Sequence, residues 1–340
     1  MADAGLLSLS FAVPLAVVLV AMPPFMRFLT RSGRVAKDVH KRPPTQVPAP
    51  VGPVLFLGAL AGELVAYATF GSLVPVAVIG AAAVAFMVGL TDDLFVLGAR
   101  VKPLLLLLAG VPLVVLVAFQ RDLYVPSITF PLLGPSAEHF TIYTLLVVAA
   151  FPIVSNAFNM MDSFNGEISW FTLLTSASVL FAVVLRAAFT AGFSLARVAA
   201  TLPLVAVAMG FLVFNRYPSR AFDGDSGALF MGATFACLAV TGGVEIAAIV
   251  AIVPAILNSF YTLSSVRGFV ERRKMATRPT YLGEDGKLYA SMEPSAPSTL
   301  VRLVLLGGPL SERELVRNVV LLTLAACLLS AAISLLTWVH

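Results

Sequence analysis

The sequence predicts an all-α polytopic membrane protein of about ten transmembrane helices, with a small cytosolic hairpin inserted late in the chain. Three observations carry that class. Of 340 residues, 59% are hydrophobic and 12% charged, about half the roughly 25% charged share of a soluble domain. Apolar runs repeatedly approach the roughly 20 residues that cross a hydrocarbon core. The basic residues gather in alternate loops, the pattern that sets the orientation of a polytopic protein.

Taken in order, the first apolar run, Leu6 to Met26, is long enough to span. It lacks a basic leader and a small-residue cleavage site, so it reads as a helix rather than a signal peptide. Further runs follow around 53–70, 73–90, 103–119, 140–157, 169–186, 198–214, 227–242, 244–262 and 318–338, the 227–262 pair splitting at Thr241-Gly242-Gly243. Ten spans put both termini on one side. Nineteen of the 22 lysines and arginines then fall in one set of loops, including Arg27, Arg31, Lys41, Lys102, Arg220, Arg273 and Arg278. Only Arg121, Arg186 and Arg197 fall in the other. The expectation is an integral plasma-membrane protein with both termini extracytoplasmic. The formal charge of +4 follows membrane topology, which argues against a nucleic-acid partner. Cys237 and Cys327 lie inside apolar runs and read as small hydrophobes.

No repeat and no linker divides the chain, so residues 1–340 read as one catalytic unit with 264–317 inserted in it. Within that polar, basic insertion, Asp285-Gly286 flanked by Tyr281-Leu282 and Leu288-Tyr289 signals a hairpin. A short amphipathic helix is expected through Ser311 to Val316, where Ser-x-x-Glu is a capping-box pattern.

The chemistry concentrates in three oxygen-rich segments on the basic side. The chain has only 18 acidic residues, and acids at the edge of spanning segments are functional candidates. Asp92-Asp93 ends one apolar run and Lys102 opens the next. One such acid could simply cap a helix; two, with a lysine close by, favour a site. Asn156, Asn159, Asp162 and Asn165 recur every three residues before Gly166. Asp223-Gly224-Asp225-Ser226-Gly227 reads as a glycine-bearing helix start, a ready position for a phosphate or its metal. Phe222 beside it is either an interfacial aromatic or a ring for stacking on a base. Arg272-Arg273-Lys274 and Arg278 either mark the positive side or hold a diphosphate.

With those residues assembled, the chain resembles the polyprenyl-phosphate N-acetylhexosamine-1-phosphate transferases. That membrane family includes the bacterial phospho-MurNAc-pentapeptide transferase and the eukaryotic dolichyl-phosphate GlcNAc-phosphotransferase. Its aspartate pair followed after nine residues by lysine is met by Asp93 and Lys102. Its N-A-x-N-x-x-D-G-x-[ND]-G loop is met by Asn156-Ala157-Phe158-Asn159-Met160-Met161-Asp162-Ser163-Phe164-Asn165-Gly166, with Ser163 in place of glycine. Its F-N-x-x-P…G-D segment is met by Phe214-Asn215-Arg216-Tyr217-Pro218 and Gly224-Asp225. The 254–263 and 286–291 stretches resemble the dolichyl branch. The bacterial cell-wall branch has a histidine cluster where this loop has none.

The resemblance implies Mg²⁺ (Mn²⁺ as a substitute) held by Asp225 and Asn159. It implies Phe222 on uracil with Asn215, Asn165 and Asp162 near the nucleoside, and pyrophosphate on Arg273 and Arg278. Asp92, Asp93 and Lys102 fall at the lipid phosphate, and Lys41 and Asn156 border the site. The partners implied are a UDP-sugar and a polyprenyl phosphate; large apolar faces also permit a homodimer. One alternative is a relative using another UDP-sugar or undecaprenyl phosphate. A secondary transporter is the alternative of another class, disfavoured because the acids cluster at one membrane edge and no inverted repeat is visible.

Overall fold

The computed structural model describes residues 2–136, 139–190, 194–266 and 277–339. Its helices are α1 (Ala2–Arg31), α2 (Gly52–Phe70), α3 (Leu73–Phe95), α4 (Val101–Leu106), α5 (Val111–Val117), α6 (Phe140–Met160) and α7 (Glu167–Phe189). They continue with α8 (Leu195–Asn215), α9 (Gly224–Gly242), α10 (Glu245–Ala251), α11 (Val253–Ser265), α12 (Leu300–Leu305) and α13 (Glu312–Trp338). Three antiparallel hairpins decorate them: β1–β2 (Val35–Asp38, Thr45–Pro48), β3–β4 (Thr129–Phe130, Gly134–Pro135) and β5–β6 (Thr280–Leu282, Leu288–Ala290).

All ten expected spans are helical. Among the described residues, eight helices are long and apolar enough to cross a membrane alone. The other two segments are broken at prolines. A 3₁₀ turn at Leu107–Gly110 joins α4 to α5, and Pro112 lies in the first turn that follows; proline has no N–H for the helical ladder. Pro254 likewise opens α11, which bends 64° from α10.

Both broken segments still run the length of the bundle. Lys102 opens α4 against Asp92 and Asp225, while Asp122, beyond α5, pairs with Arg197 at the start of α8. Glu245 opens α10 against Tyr143 at the start of α6, and the Asn258 amide of α11 donates to the Met160 carbonyl at the end of α6.

α9 is the axis of the molecule. Every residue from Ser226 to Gly242 is buried, against α3, α6, α2 and α8. Phe235 of α9 packs beside Phe158 of α6, which meets Phe171 of α7 edge-on at 4.9 Å. The outer helices expose leucines such as Leu145 and Leu328, an arrangement that suits lipid rather than water.

The β5–β6 hairpin forms where expected, with Gly286 in its turn. Arg302 holds it down, donating to the carbonyls of Ser291 and Ala296. The capping box at Ser311 and Glu314 also forms. It does not open a separate short helix, however: the helix runs unbroken from Glu312 to Trp338. Glu312, at its start, is buried and pairs with Lys41, while Arg313 and Glu314 stay exposed, so this turn is the foot of the last span.

Candidate active site

The last turn of α3, the first turn of α4 and the first turn of α9 meet at one end of the bundle. Lys102 Nζ lies 2.9 Å from Asp92 Oδ2 and also ion-pairs with Asp225. Asp92 Oδ1 accepts the Leu97 N–H at 2.6 Å, which fixes the carboxylate. Its neighbour does something different. Asp93 turns its two oxygens onto the N–H groups of Asp225 and Ser226, each at 2.9 Å. It therefore caps α9 from another helix, using the free N–H groups and positive dipole end of a helix start.

Two glycines permit that contact. A Cβ on Gly89 of α3 would come within 2.4 Å of the Asp225 carbonyl oxygen. Gly224 sits at φ +69, where a side chain is strained, and a Cβ there would lie 2.8 Å from Asp93 Oδ1.

Asp223 adds a further carboxylate. It is fully buried, and neither of its oxygens has a hydrogen-bond partner. Burial, reinforced by the nearby charge of Asp162, holds it well above the usual carboxylate range. Asn159, in the last turn of α6, is half-buried and makes no side-chain hydrogen bond among the described residues. Gly232 packs on Ser155, so α6 and α9 run side by side with Asn159 and Asp225 toward the same end. An orphaned buried carboxylate among further acids is short of positive charge. Carboxylate and amide oxygens are the donors Mg²⁺ and Mn²⁺ take, so the residues fit such an ion.

The other candidates fall into a packed loop layer. Asn165 is 2% exposed, donates to Asp38 and accepts the Ser219 N–H at 2.6 Å. Asn215 is 1% exposed, donates to the Ala221 carbonyl and accepts from Ser169. Both amides thus fasten the turn that leads to Phe222. Phe222 is half-buried, and its backbone pairs with the end of β2 and the residues after it, through its N–H to Pro48 O and its carbonyl to Val51 N–H. Asn156 turns back on its own helix and donates to Pro152 O. Arg278 is exposed beside His40 and Tyr281 on a cavity of about 420 Å³. Arg273 lies outside the described residues.

Sequence reasoning named Lys41 but not its partners. Lys41 Nζ meets Glu312 at 2.6 Å and Asp38 at 3.2 Å, and Glu312 also accepts the Asn165 N–H. Burial lowers the Lys41 ammonium, but the hydrogen bond and charge of Glu312, then Asp38, outweigh it and hold it above its ordinary value. The i, i+3 spacing of Asp38 and Lys41 was visible in the sequence; nothing there tied either to Glu312.

Comparison with known proteins agrees with the geometry. The model of glycosyl transferase family 4 matches residues 75–243. A Methanocaldococcus jannaschii protein named "Putative glycosyltransferase" is 30% identical over 66% of this chain and 65% of its own length. A Saccharolobus solfataricus protein named "Putative UDP-N-acetylglucosamine–dolichyl-phosphate N-acetylglucosaminephosphotransferase" is 25% identical over 86% of this chain and 85% of its own. The Dictyostelium discoideum UDP-N-acetylglucosamine–dolichyl-phosphate N-acetylglucosaminephosphotransferase is 24% identical over 66% of this chain and 59% of its own. The chain thus spans less than two thirds of the length of the first and third of these relatives. The matched region opens in the first turn of α3 and closes just past α9, taking in Asp92, Asp93, Lys102, Asn159 and Asp225; over it, the chain is similar to glycosyl transferase family 4.

Proposed function

We propose that the protein transfers GlcNAc-1-phosphate from UDP-GlcNAc to a polyprenyl, dolichyl-type phosphate. The observation that carries this reading is the Asp92–Lys102–Asp225 cluster at the start of α9, one short turn from Phe222. An oxygen of the lipid phosphate attacks the sugar-bearing phosphorus. The bond from that phosphorus to the bridging oxygen breaks, and UMP leaves with the electron pair. Two anions must be brought together, and the isoprenoid tail of the acceptor suits a site at the edge of a helical bundle.

Lys102 is the one ammonium at the cluster among the described residues and receives the lipid phosphate as a point charge. Asp92, fixed by the Leu97 N–H, orients Lys102. Asp93 holds the first turn of α9 and, with it, the Asp225 backbone. Asp225, Asn159 and the orphaned Asp223 would hold Mg²⁺. When bound, the ion screens the two reactants and stabilises the departing UMP. Phe222 offers a face to uracil; Asn165 and Asn215 set its loop rather than touch the base. Arg278, with Arg273, serves the diphosphate.

The charge asymmetry of the loops supports a cytoplasmic active face. The test is incubation of purified protein with radiolabelled UDP-GlcNAc, Mg²⁺ and either dolichyl or undecaprenyl phosphate, followed by lipid extraction. Label in the lipid phase with the dolichyl carrier is the expected result. Folded protein that labels neither carrier overturns the reading; label with undecaprenyl phosphate alone overturns the choice of carrier.

A further inference from the structure

A second cavity, of about 980 Å³, opens between the end of α1 and the 214–220 turn. It contains none of Asp92, Asp93, Lys102 or Asp225. Its walls are mostly apolar, with Met26, Pro48 and Phe214 beside Thr30 and Gln46, and four cations border it: Lys41, already paired with Glu312 and Asp38, and the arginines Arg27, Arg31 and Arg220. Among the described residues none of the three arginines has a carboxylate partner. Arg220 lies over the Phe214 ring at 5.2 Å and donates to the Val213 carbonyl. Arg27 reaches only its own helix, at 3.4 Å from Pro23 O, and Arg31 makes no side-chain hydrogen bond among the described residues.

Positive charge at the end of a span is ordinary, since such arginines extend from the last turn to the headgroup level. Convergence of three unpaired guanidiniums on one apolar-walled hollow is not required by topology. Basic hollows between spanning helices take phosphate-bearing headgroups, and guanidinium grips phosphate through paired N–H donors. We propose that this cavity binds an anionic membrane phospholipid, its phosphate on Arg27, Arg31 and Arg220 and the start of an acyl chain against Met26 and Phe214. The occupant is a lipid rather than free phosphate, because the walls are mostly apolar and the cavity sits where two spans, α1 and α8, end.

The position gives such a lipid a consequence. Pro48, in the wall, accepts the Phe222 N–H at 3.1 Å, and Ser219, also in the wall, donates to Asn165. A filled cavity braces the segment that carries Phe222. The inference does not depend on the transferase reading, because its readout is binding.

The test uses the full chain, delipidated in detergent and titrated with phosphatidylglycerol or phosphatidylcholine, with adducts counted by native mass spectrometry. One saturable phosphatidylglycerol adduct, absent with phosphatidylcholine, is expected. At about fivefold per arginine near a charged headgroup, the double variant Arg27→Ala/Arg31→Ala should weaken it roughly 30-fold. Arg27→Lys/Arg31→Lys should recover most of the affinity, and Arg34→Ala, outside the cavity, should change it less than about twofold. Equal binding of both lipids, an unaffected double alanine variant, or displacement of the lipid by inorganic phosphate at comparable affinity would each overturn the proposal.

Discussion

Replacing Asp93 by Asn separates a helix cap from a reacting group. In the native protein both Asp93 oxygens accept N–H groups at the start of α9, each at 2.9 Å. Asparagine keeps one acceptor and turns an NH₂ toward the other N–H, so one charge-assisted hydrogen bond is lost, about 1.5–3 kcal/mol. The negative charge at the dipole's positive end is lost with it, about 0.3–1 kcal/mol and more when partly buried. Because these two effects overlap, the expected destabilisation is about 2–4 kcal/mol. Asp92→Asn is the internal control. It can keep the Leu97 hydrogen bond, and Lys102 keeps Asp225, so its cost in stability should stay near or below about 1 kcal/mol. The assay is thermal unfolding followed by the fluorescence of Trp170 on α7 and Trp338 at the end of α13, alongside turnover of both variants. Asp93→Asn should melt clearly below Asp92→Asn, with turnover reduced because Asp225 rides on the loosened first turn. Asp92→Asn should lose kcat while its melt and its KM for the UDP-sugar hold. An Asp93→Asn protein that melts like wild type yet is inactive would refute the cap and make Asp93 a reacting group.

Asp225→Asn should abolish turnover and weaken Mn²⁺ binding measured by electron paramagnetic resonance; a folded variant that binds Mn²⁺ like wild type contradicts the metal assignment. Phe222→Ala should raise KM for the UDP-sugar with a smaller change in kcat, on the scale of about 1–3 kcal/mol for one stacked base, and an unchanged KM would leave Phe222 as interfacial packing. Lys41→Met should lower stability by roughly 2–3 kcal/mol, the low side for breaking a buried pair because Lys41 keeps some exposure. The folded Lys41 is raised above its ordinary 10.5, so its contribution is complete below that pH and lost as pH rises through the folded value; a difference between variant and wild-type melts that persists at higher pH would exclude the charge as its origin. A reporter fused after residue 340 should be extracytoplasmic and one inserted near Gly286 cytoplasmic, and the reverse for either would overturn the ten-span topology.

Local pattern made most of this legible. Apolar runs marked all ten helical segments, and Asp285-Gly286 and Ser311–Glu314 marked a hairpin and a cap because the interactions close within a few residues. What escaped the sequence were contacts whose partners lie far apart. Asp93 finds its donors 132 and 133 residues away, so nothing local told a cap from an acid in reserve. Glu312 read only as part of a short amphipathic helix because its partner, Lys41, is 271 residues distant. Asn165 and Asn215 fit the motif by identity, yet only packing reveals that their amides are consumed inside the loop.

The three arginines on the sparsely charged side have the same kind of explanation. Two of them close the far end of α9. Arg186 donates to the carbonyls of Gly242 and Gly243 at 2.8 and 2.9 Å, and Arg197 to that of Thr241 at 2.8 Å. A helix buried along its whole length cannot leave its last carbonyls to water, and cations are the favourable partners at that end. Asp93 does the complementary work at the start. The central helix is therefore neutralised by charge at both ends, negative at the start and positive at the finish, each supplied by other helices. Two exceptions to the loop-charge pattern are thus requirements of burying α9, and without them the asymmetry sharpens from 19:3 to 19:1. The same arrangement sets the capped start of α9 beside Lys102, where we propose that the lipid phosphate binds.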